Sequence, residues 1–382
     1  MFRLEAGWCG LGTSALVQLS FLPIAVRTIS LAAMHPASGS GIGNVTESSA
    51  LVEMAMGYAR SRTLCAAARL GIADLLGDDG KNVDQIATEC GADAGSLYRL
   101  LRALASFGIV AEIEPQKFAL TRKGAPLRKT APNSAWPAII FWADLLADQW
   151  SYLTECIKTG DTAAKIMARE EVASRWATDP DAPAIFRAVM GTAPADNYMS
   201  IARAWDFSKY ATVADLGGGG GGLIAAILEA YPNVSGMLVD RQESIHRATS
   251  RFESNGLAAR CKLIGADLCQ EVPGGAEVYM LKHVLHGYKD EAAIGMLRRC
   301  RSVLPKEGRL LVIEFVLPDA VTGADASLER RLMSDLNMLV VTGGKERTAT
   351  AWKALLKNAG FEIQNVIPVP GESVSIIEAL PV

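Results

Sequence analysis

An excess of positive charge is the first thing this chain lacks: 38 Lys and Arg stand against 41 Asp and Glu, a net charge of −3 over 382 residues. A protein that grips nucleic acid through its phosphates needs a basic stripe, and this balance supplies no such footprint. Paired cysteines are missing as well. Cys9, Cys65, Cys90, Cys156, Cys261, Cys269 and Cys300 are scattered and odd in number, with no C-x-x-C pair and no Cys/His cluster. They read as reduced thiols of a cytosolic protein, neither a zinc site nor a disulfide framework. The apolar stretch at residues 14–26 is interrupted by Pro23 and falls short of the ~20 residues that cross a membrane. Histidine is scarce, with four in the chain.

What is present is enough hydrophobic sequence, half of all residues, for two domains and a large core. Residues 1–44 stand apart. Leu31-Ala32-Ala33 has the look of a cleavage site, but the polar-speckled run before it is a poor secretory signal. Met34 followed by Pro/Ser/Gly-rich sequence reads better as a natural start after an upstream extension, expected to be poorly ordered.

Residues 45 to about 130 read as helices at 49–76 (broken near Gly71), 82–89 and 96–107, followed by strands at 109–113 and 117–120. Helix-turn-helix plus hairpin is the outline of a winged helix. A DNA reader would use Arg99 and Arg102 on its recognition helix, but two arginines without a basic stripe favour an interaction or dimerisation module. Residues 134–205 look wholly helical and unusually aromatic. Most such rings are core, while Trp142, Phe186 and Met190, with Met338 further on, are candidates to wall a flat apolar substrate pocket.

From Asp206 the pattern alternates. Strands are expected at 212–216, 235–239, 261–264, 278–282 and 309–315 with helices between, an α/β parallel doubly wound sheet. Segments 361–366 and 374–379 follow as an antiparallel edge hairpin. The first strand runs into Asp215-Leu216 and six consecutive glycines, then an apolar helix. Glycine there permits positive φ and lets a ligand approach the backbone. A pyrophosphate would be repelled by the Asp before that loop. Asp215, Asp240 and Asp267 at the ends of three successive strands instead suit a cofactor with an amino acid cation, a ribose diol and an adenine amine. S-adenosylmethionine has all three.

The chemistry gathers after the fourth strand, in Leu281-Lys282-His283-Val284-Leu285-His286-Gly287-Tyr288. His286 is the candidate general base, since imidazole accepts a proton near neutral pH; His283 reads as structural. Such a base needs an orienting partner. Glu314, alone in an apolar strand, must itself be paired, and is the expected partner. Glu346, in Gly343-Gly344-Lys345-Glu346-Arg347-Thr348, reads either as a second acid of the site or as a surface loop residue.

Together these motifs resemble the bacterial and plant small-molecule O-methyltransferases, the family of the caffeic acid, acetylserotonin and hydroxyneurosporene enzymes. The resemblance covers roughly residues 47–380. It implies a Rossmann-like class I methyltransferase sheet, parallel with one antiparallel edge strand, preceded by a mainly helical winged-helix dimerisation domain. Boundaries fall at 1–44, 45–205 and 206–382. It implies a cytoplasmic homodimer that uses S-adenosylmethionine without a metal, free of nucleic acid and membrane. Contacts to the cofactor would come from Asp215, Gly217, Gly219, Asp240, Asp267, Leu268, Lys282 and Tyr288. His286 would be the base, with Glu314 and Glu346 beside it, and Met190 would lie near the methyl group. Gly220 replaces the usual Thr, and Gly287-Tyr288 replace Asp-Trp, leaving the base less supported. The alternatives are an S- or N-methyltransferase of the same fold, an inactive winged-helix regulator, and, more distantly, a nicotinamide dehydrogenase, which Asp215 disfavours.

Overall fold

A helix at Glu47–Arg69 stops where Gly71 takes a left-handed φ of 67°, and a short helix, Ile72–Leu75, follows. The computed structural model describes residues 47–382 except 78, 192–194 and 324, so the extension expected over residues 1–44 lies outside the described residues. From Ala55 onward the chain forms one compact unit.

Asn82 ends the two-residue strand β1 (Lys81–Asn82) and caps the helix Val83–Cys90, its side chain accepting from the Asp84 amide while Gln85 reaches back to the Asn82 amide. Asp93 caps the next helix, Ala94–Ser106, which buries Leu97, Leu101 and Leu104. β2 (Val110–Glu114) and β3 (Lys117–Leu120) form the expected hairpin, and β1 adds to β3. Arg99 and Arg102 are exposed on the Ala94–Ser106 helix, Arg102 lying over the Tyr98 ring.

The described residues between 136 and 204 form helical pieces, one of them a π-helical turn at Phe141–Leu145. That turn aims Asp144 inward, where it is buried and paired with Arg62, Arg69 and Arg175. The ion pairs tie the first helix to the helical segment.

The large sheet contains β4 (Thr212–Leu216), β5 (Ser235–Asp240), β6 (Cys261–Gly265), β7 (Val278–Lys282), β8 (Arg309–Glu314), β11 (Phe361–Pro368) and β12 (Ser375–Pro381). Its order is β11-β12-β8-β7-β4-β5-β6. A parallel two-residue pair, β9 (Val316–Leu317) with β10 (Arg347–Thr348), stands beside it. The sheet is buried on both faces, as the apolar runs require. Val213, Leu238, Met280 and Leu311 pack to one side, against Leu223, Ile224 and Phe252. Ala214, Val239, Leu281 and Val312 pack to the other, against Met296, Leu297 and Trp352. β12 runs antiparallel to both β8 and β11, which makes the edge hairpin read from the sequence. Because β4 pairs with β5 on one side and β7 on the other, the crossover direction reverses at β4, and a crevice opens over the carboxyl ends of the strands. No helix of the described residues is long and apolar enough to cross a membrane.

Candidate active site

The strand ends deliver the acids read from the sequence to that crevice. Asp215 is the last residue but one of β4, with 1% of its surface exposed and no hydrogen-bond partner for either carboxylate oxygen. Burial, opposed by nearby Lys282, pushes its pKa up to about 7. Lys282, at the end of β7, is itself held below its ordinary value by burial, against the pull of Asp215 and Glu314. Asp240 ends β5, accepting from the amides of Gly219 (2.8 Å) and Arg241 (2.7 Å). Asp267 accepts from the Cys269 amide at 2.9 Å.

The glycine loop needs its glycines unequally. A Cβ on Gly217 would stand 2.7 Å from Val284, and one on Gly218 would stand 2.4 Å from the Asp215 carboxylate. Gly219 and Gly220 face open space. Leu268 is buried beside Gly217, and Tyr288 is half-buried, its hydroxyl pKa raised by burial and by Cys269. An unpartnered carboxylate, an open glycine backbone and two further acids fit a ligand with a cation at one end and donors at the other.

Asp215 makes a stability prediction. A carboxyl whose folded pKa is raised contributes stability that is full below the unfolded value and lost as pH rises through the folded one. The stability of Asp215→Asn relative to the unsubstituted protein should therefore grow from pH 5 to pH 7.5 by about 2 kcal/mol, because burial holds the Asp215 pKa near 7. Urea melts at the two pH values test this; a difference that does not change with pH refutes it.

Next to the crevice, Glu314 organises a turn. Its Oε1 accepts from the amides of Val284 (2.9 Å), Leu285 (3.0 Å) and His286 (3.4 Å). The turn starts at His283, whose φ of 52° curls the chain back over the end of β8. Glu314 Oε2 lies 3.3 Å from Nδ1 of both His283 and His286. The carboxylate is fully buried, and burial would raise its pKa, but the two histidines and the His286 amide bring it below the ordinary value.

The hydrogen bond to the His286 ring comes from a different acid than the sequence suggested. Glu346 Oε1 lies 3.1 Å from His286 Nδ1 and accepts from Ser334 Oγ at 2.8 Å. Glu346 is 4% exposed, which excludes the surface-loop reading. Arg347 brings it there. That fully buried guanidinium donates to the Leu285 and Tyr288 carbonyls, both at 2.9 Å, and to Asp290, and it stacks over Trp352. It clamps the 343–348 loop onto the His286 turn, and sequence reasoning gave it no role.

A carboxylate only accepts, so Nδ1 of His286, facing two of them, carries the proton and leaves Nε2 as the basic nitrogen of the neutral ring. Burial would lower the His286 pKa, but Glu314 and Glu346 outweigh it and hold it above the usual value. Among the described residues, one ligand atom from each of His283, His286 and Glu314 lies within 4.8 Å of the others, close enough to share a metal ion. The bonds of His286 to Glu346 and of Glu314 to the turn amides already employ most of that group.

A cavity of about 700 Å³ adjoins these residues, walled by Tyr58, Trp142, Trp150, Phe315, Met333 and Ser334 among others. Ser334 links it to Glu346, and Phe315 lies edge-on to the His283 ring at 5.3 Å. Of the candidate wall residues, Trp142 lines it. Phe186, Met190 and Met338 do not: Phe186 packs on Phe141 and Trp176, and Met190 is 52% exposed. A second cavity, about 680 Å³, is walled by Arg62, Arg69, Arg175, Asp144 and Asp179, whose charges answer one another.

Comparison with known proteins decides the family. A profile described as an O-methyltransferase domain matches residues 150–362, and one described as an O-methyltransferase dimerisation domain matches residues 52–127. The chain belongs to the O-methyltransferase family. This methyltransferase is 36% identical over 340 residues to a phenazine O-methyltransferase from Lysobacter antibioticus, covering 89% of this chain and 98% of that one. It is 33% identical to the 8-amino-8-demethylriboflavin N,N-dimethyltransferase of Streptomyces davaonensis, over 82% of this chain and 90% of that one. Among solved structures, an O-methyltransferase from neocarzinostatin biosynthesis, in complex with S-adenosylmethionine and 2-hydroxy-5-methyl naphthoic acid, superposes with a TM-score of 0.74 at 29% identity. That match covers 91% of the methyltransferase described here and all of the other chain. The enzyme class is S-adenosylmethionine-dependent methyl transfer.

Proposed function

We propose that the enzyme methylates a hydroxyl of a planar, largely apolar metabolite, with His286 as general base. The observation that carries this reading is the pair of buried acids on Nδ1, which leaves Nε2 as the basic nitrogen, with Ser334, a wall of the aromatic cavity, bonded to one of the same acids. When bound, S-adenosylmethionine supplies an electrophilic methyl group on a sulfonium. The residues fit it: Asp215 awaits a cation, Asp240 and Asp267 suit the ribose and adenine, and Gly217, Gly219, Leu268, Lys282 and Tyr288 complete the seat. His286 takes the substrate proton, and Glu346 and Glu314 stabilise the imidazolium that results. Trp142, Trp150 and Phe315 orient the flat substrate and exclude water. We further propose that the region of residues 45–205 pairs with its counterpart in a second copy to give a homodimer, and that the enzyme acts in the cytoplasm on small molecules.

A nitrogen nucleophile is the second reading, favoured by the likeness to the riboflavin dimethyltransferase. An amine at its ordinary pH needs less help from a base. The test is calorimetric titration with S-adenosylhomocysteine, NAD serving as control, followed by mass spectrometry of product from matched hydroxy- and aminonaphthalenes. Micromolar binding of S-adenosylhomocysteine alone and mass gain on the hydroxy compound support oxygen transfer; gain on the amine alone moves the second reading to the front.

A further inference from the structure

We propose that the cavity selects aromatic substrates bearing a carboxylate, and that Arg330 reads that group. This rests on the reading of the cavity as the substrate site. Among the described residues that line it, Arg330 is the one charged side chain; the others are aromatic, aliphatic or neutral polar. Arg330 has no hydrogen bond or ion pair among the described residues. Its neighbour Arg331 donates to the Val316 carbonyl at 3.0 Å, and Arg347 is spoken for by Asp290. Nor does its own helix, Ala326–Val341, answer the charge. The positions three and four residues away are Ala326, Ser327, Met333 and Ser334, with no carboxylate among them.

Arg330 is exposed at the rim of the cavity, so its guanidinium is free to meet an anion that enters beside the tryptophan and phenylalanine wall. Its planar fork matches a carboxylate with two parallel N–H···O bonds, which a hydroxyl or amine does not satisfy. Arg330 and Ser334 share a helix face one turn apart, about 6 Å along the axis. Ser334 marks the end nearest His286, because its hydroxyl donates to Glu346. A substrate that meets Arg330 with its acid group and His286 with its hydroxyl therefore separates the two groups across one or two fused rings, instead of holding them on adjacent carbons. Arg330 is thus a specificity residue, remote from the transferred methyl.

The test uses the full chain saturated with S-adenosylhomocysteine, with quenching of tryptophan fluorescence by 6-hydroxy-2-naphthoic acid and by 2-naphthol as probes. The acid is expected to bind about tenfold more tightly than the naphthol, and more weakly as salt rises. In Arg330→Gln that preference should vanish while the naphthol affinity holds. Equal affinities in the unsubstituted enzyme, binding of neither probe, or a preference that survives Arg330→Gln would each overturn the proposal. Methyl transfer to the two probes is scored separately. A carboxylate preference without transfer to the hydroxyl sinks the oxygen-transfer reading and leaves this one standing. Transfer to both probes without preference does the reverse.

Discussion

His286→Ala is expected to lower kcat toward an oxygen nucleophile by about 10²–10⁴-fold, the usual contribution of a positioned general base. Affinity for S-adenosylhomocysteine should stay nearly unchanged, because the acids and glycines of the cofactor seat lie on other strands. The pH profile sharpens the test. The base must be neutral to act, and its pKa is held above 6.5 because Glu314 and Glu346 outweigh the effect of burial. In the unsubstituted enzyme kcat should therefore climb with pH, with a midpoint above 6.5, and the variant should lose this limb. Removing the ring also leaves two buried acids facing each other, so His286→Asn is the companion variant: its amide still donates toward Glu346 while Nε2 is gone. Both variants should be slow. Full activity in His286→Asn would mean that orientation, not proton transfer, drives the reaction, and would favour the nitrogen reading.

Gly344→Ala should be about as damaging by a different route. Its Cβ would lie 2.0 Å from the His286 carbonyl oxygen and 2.6–2.7 Å from the backbone of Gly287 and Tyr288. Backbone cannot swing aside as a side chain does, so the 343–348 loop must lift from the turn. That loop carries Glu346, and the Lys345 amide donates to the same carbonyl. We expect a destabilisation of about 2–4 kcal/mol, as for other forced overpacking and broken buried networks. We also expect a loss of kcat and a shift of its pH limb toward 6.5 as Glu346 withdraws from the ring. Gly287→Ala, two residues along a turn with nothing within 4 Å of its Cβ, is the control and should be close to neutral. A Gly344→Ala enzyme with parental melting and parental pH profile would show that the contact between loop and turn is dispensable.

The sheet and its acids were legible because their signals are local. β4 and β7 start and stop at the expected residues, since apolar runs there end abruptly at Gly217 and at the histidines. Asp215, Asp240 and Asp267 stand at or just beyond strand ends, a matter of counting. The cavity was not legible. Its principal wall, the helix Ala326–Val341, buries only Asn337 and Val340 completely, so it shows little of the one-sided apolar stripe that betrays a helix. Arg330, Met333 and Ser334 went unseen with it. Phe186, named for its apolar ring, and Met190, named for its match to a family position, stand outside this cavity's wall, and nothing local in a sequence says which way a helix turns. Glu346 depends on Arg347 reaching Leu285 and Tyr288 across some sixty residues of sequence, a contact only the folded chain reveals.

β12 has a consequence for how the enzyme is made. It covers one side of β8, with Ser375 opposite Glu314, and of the described strands it leaves the ribosome last. Until it does, β8 has a bare edge of unpaired amides and carbonyls, the surface most prone to join a neighbouring nascent chain. Each molecule thus passes through an interval in which its acids and histidines are synthesised but the strand holding Glu314 has no flank. Crowded polysomes or a slow stretch of translation near residue 360 would lengthen that interval, and the yield of active enzyme would follow how soon β12 arrives to cover β8.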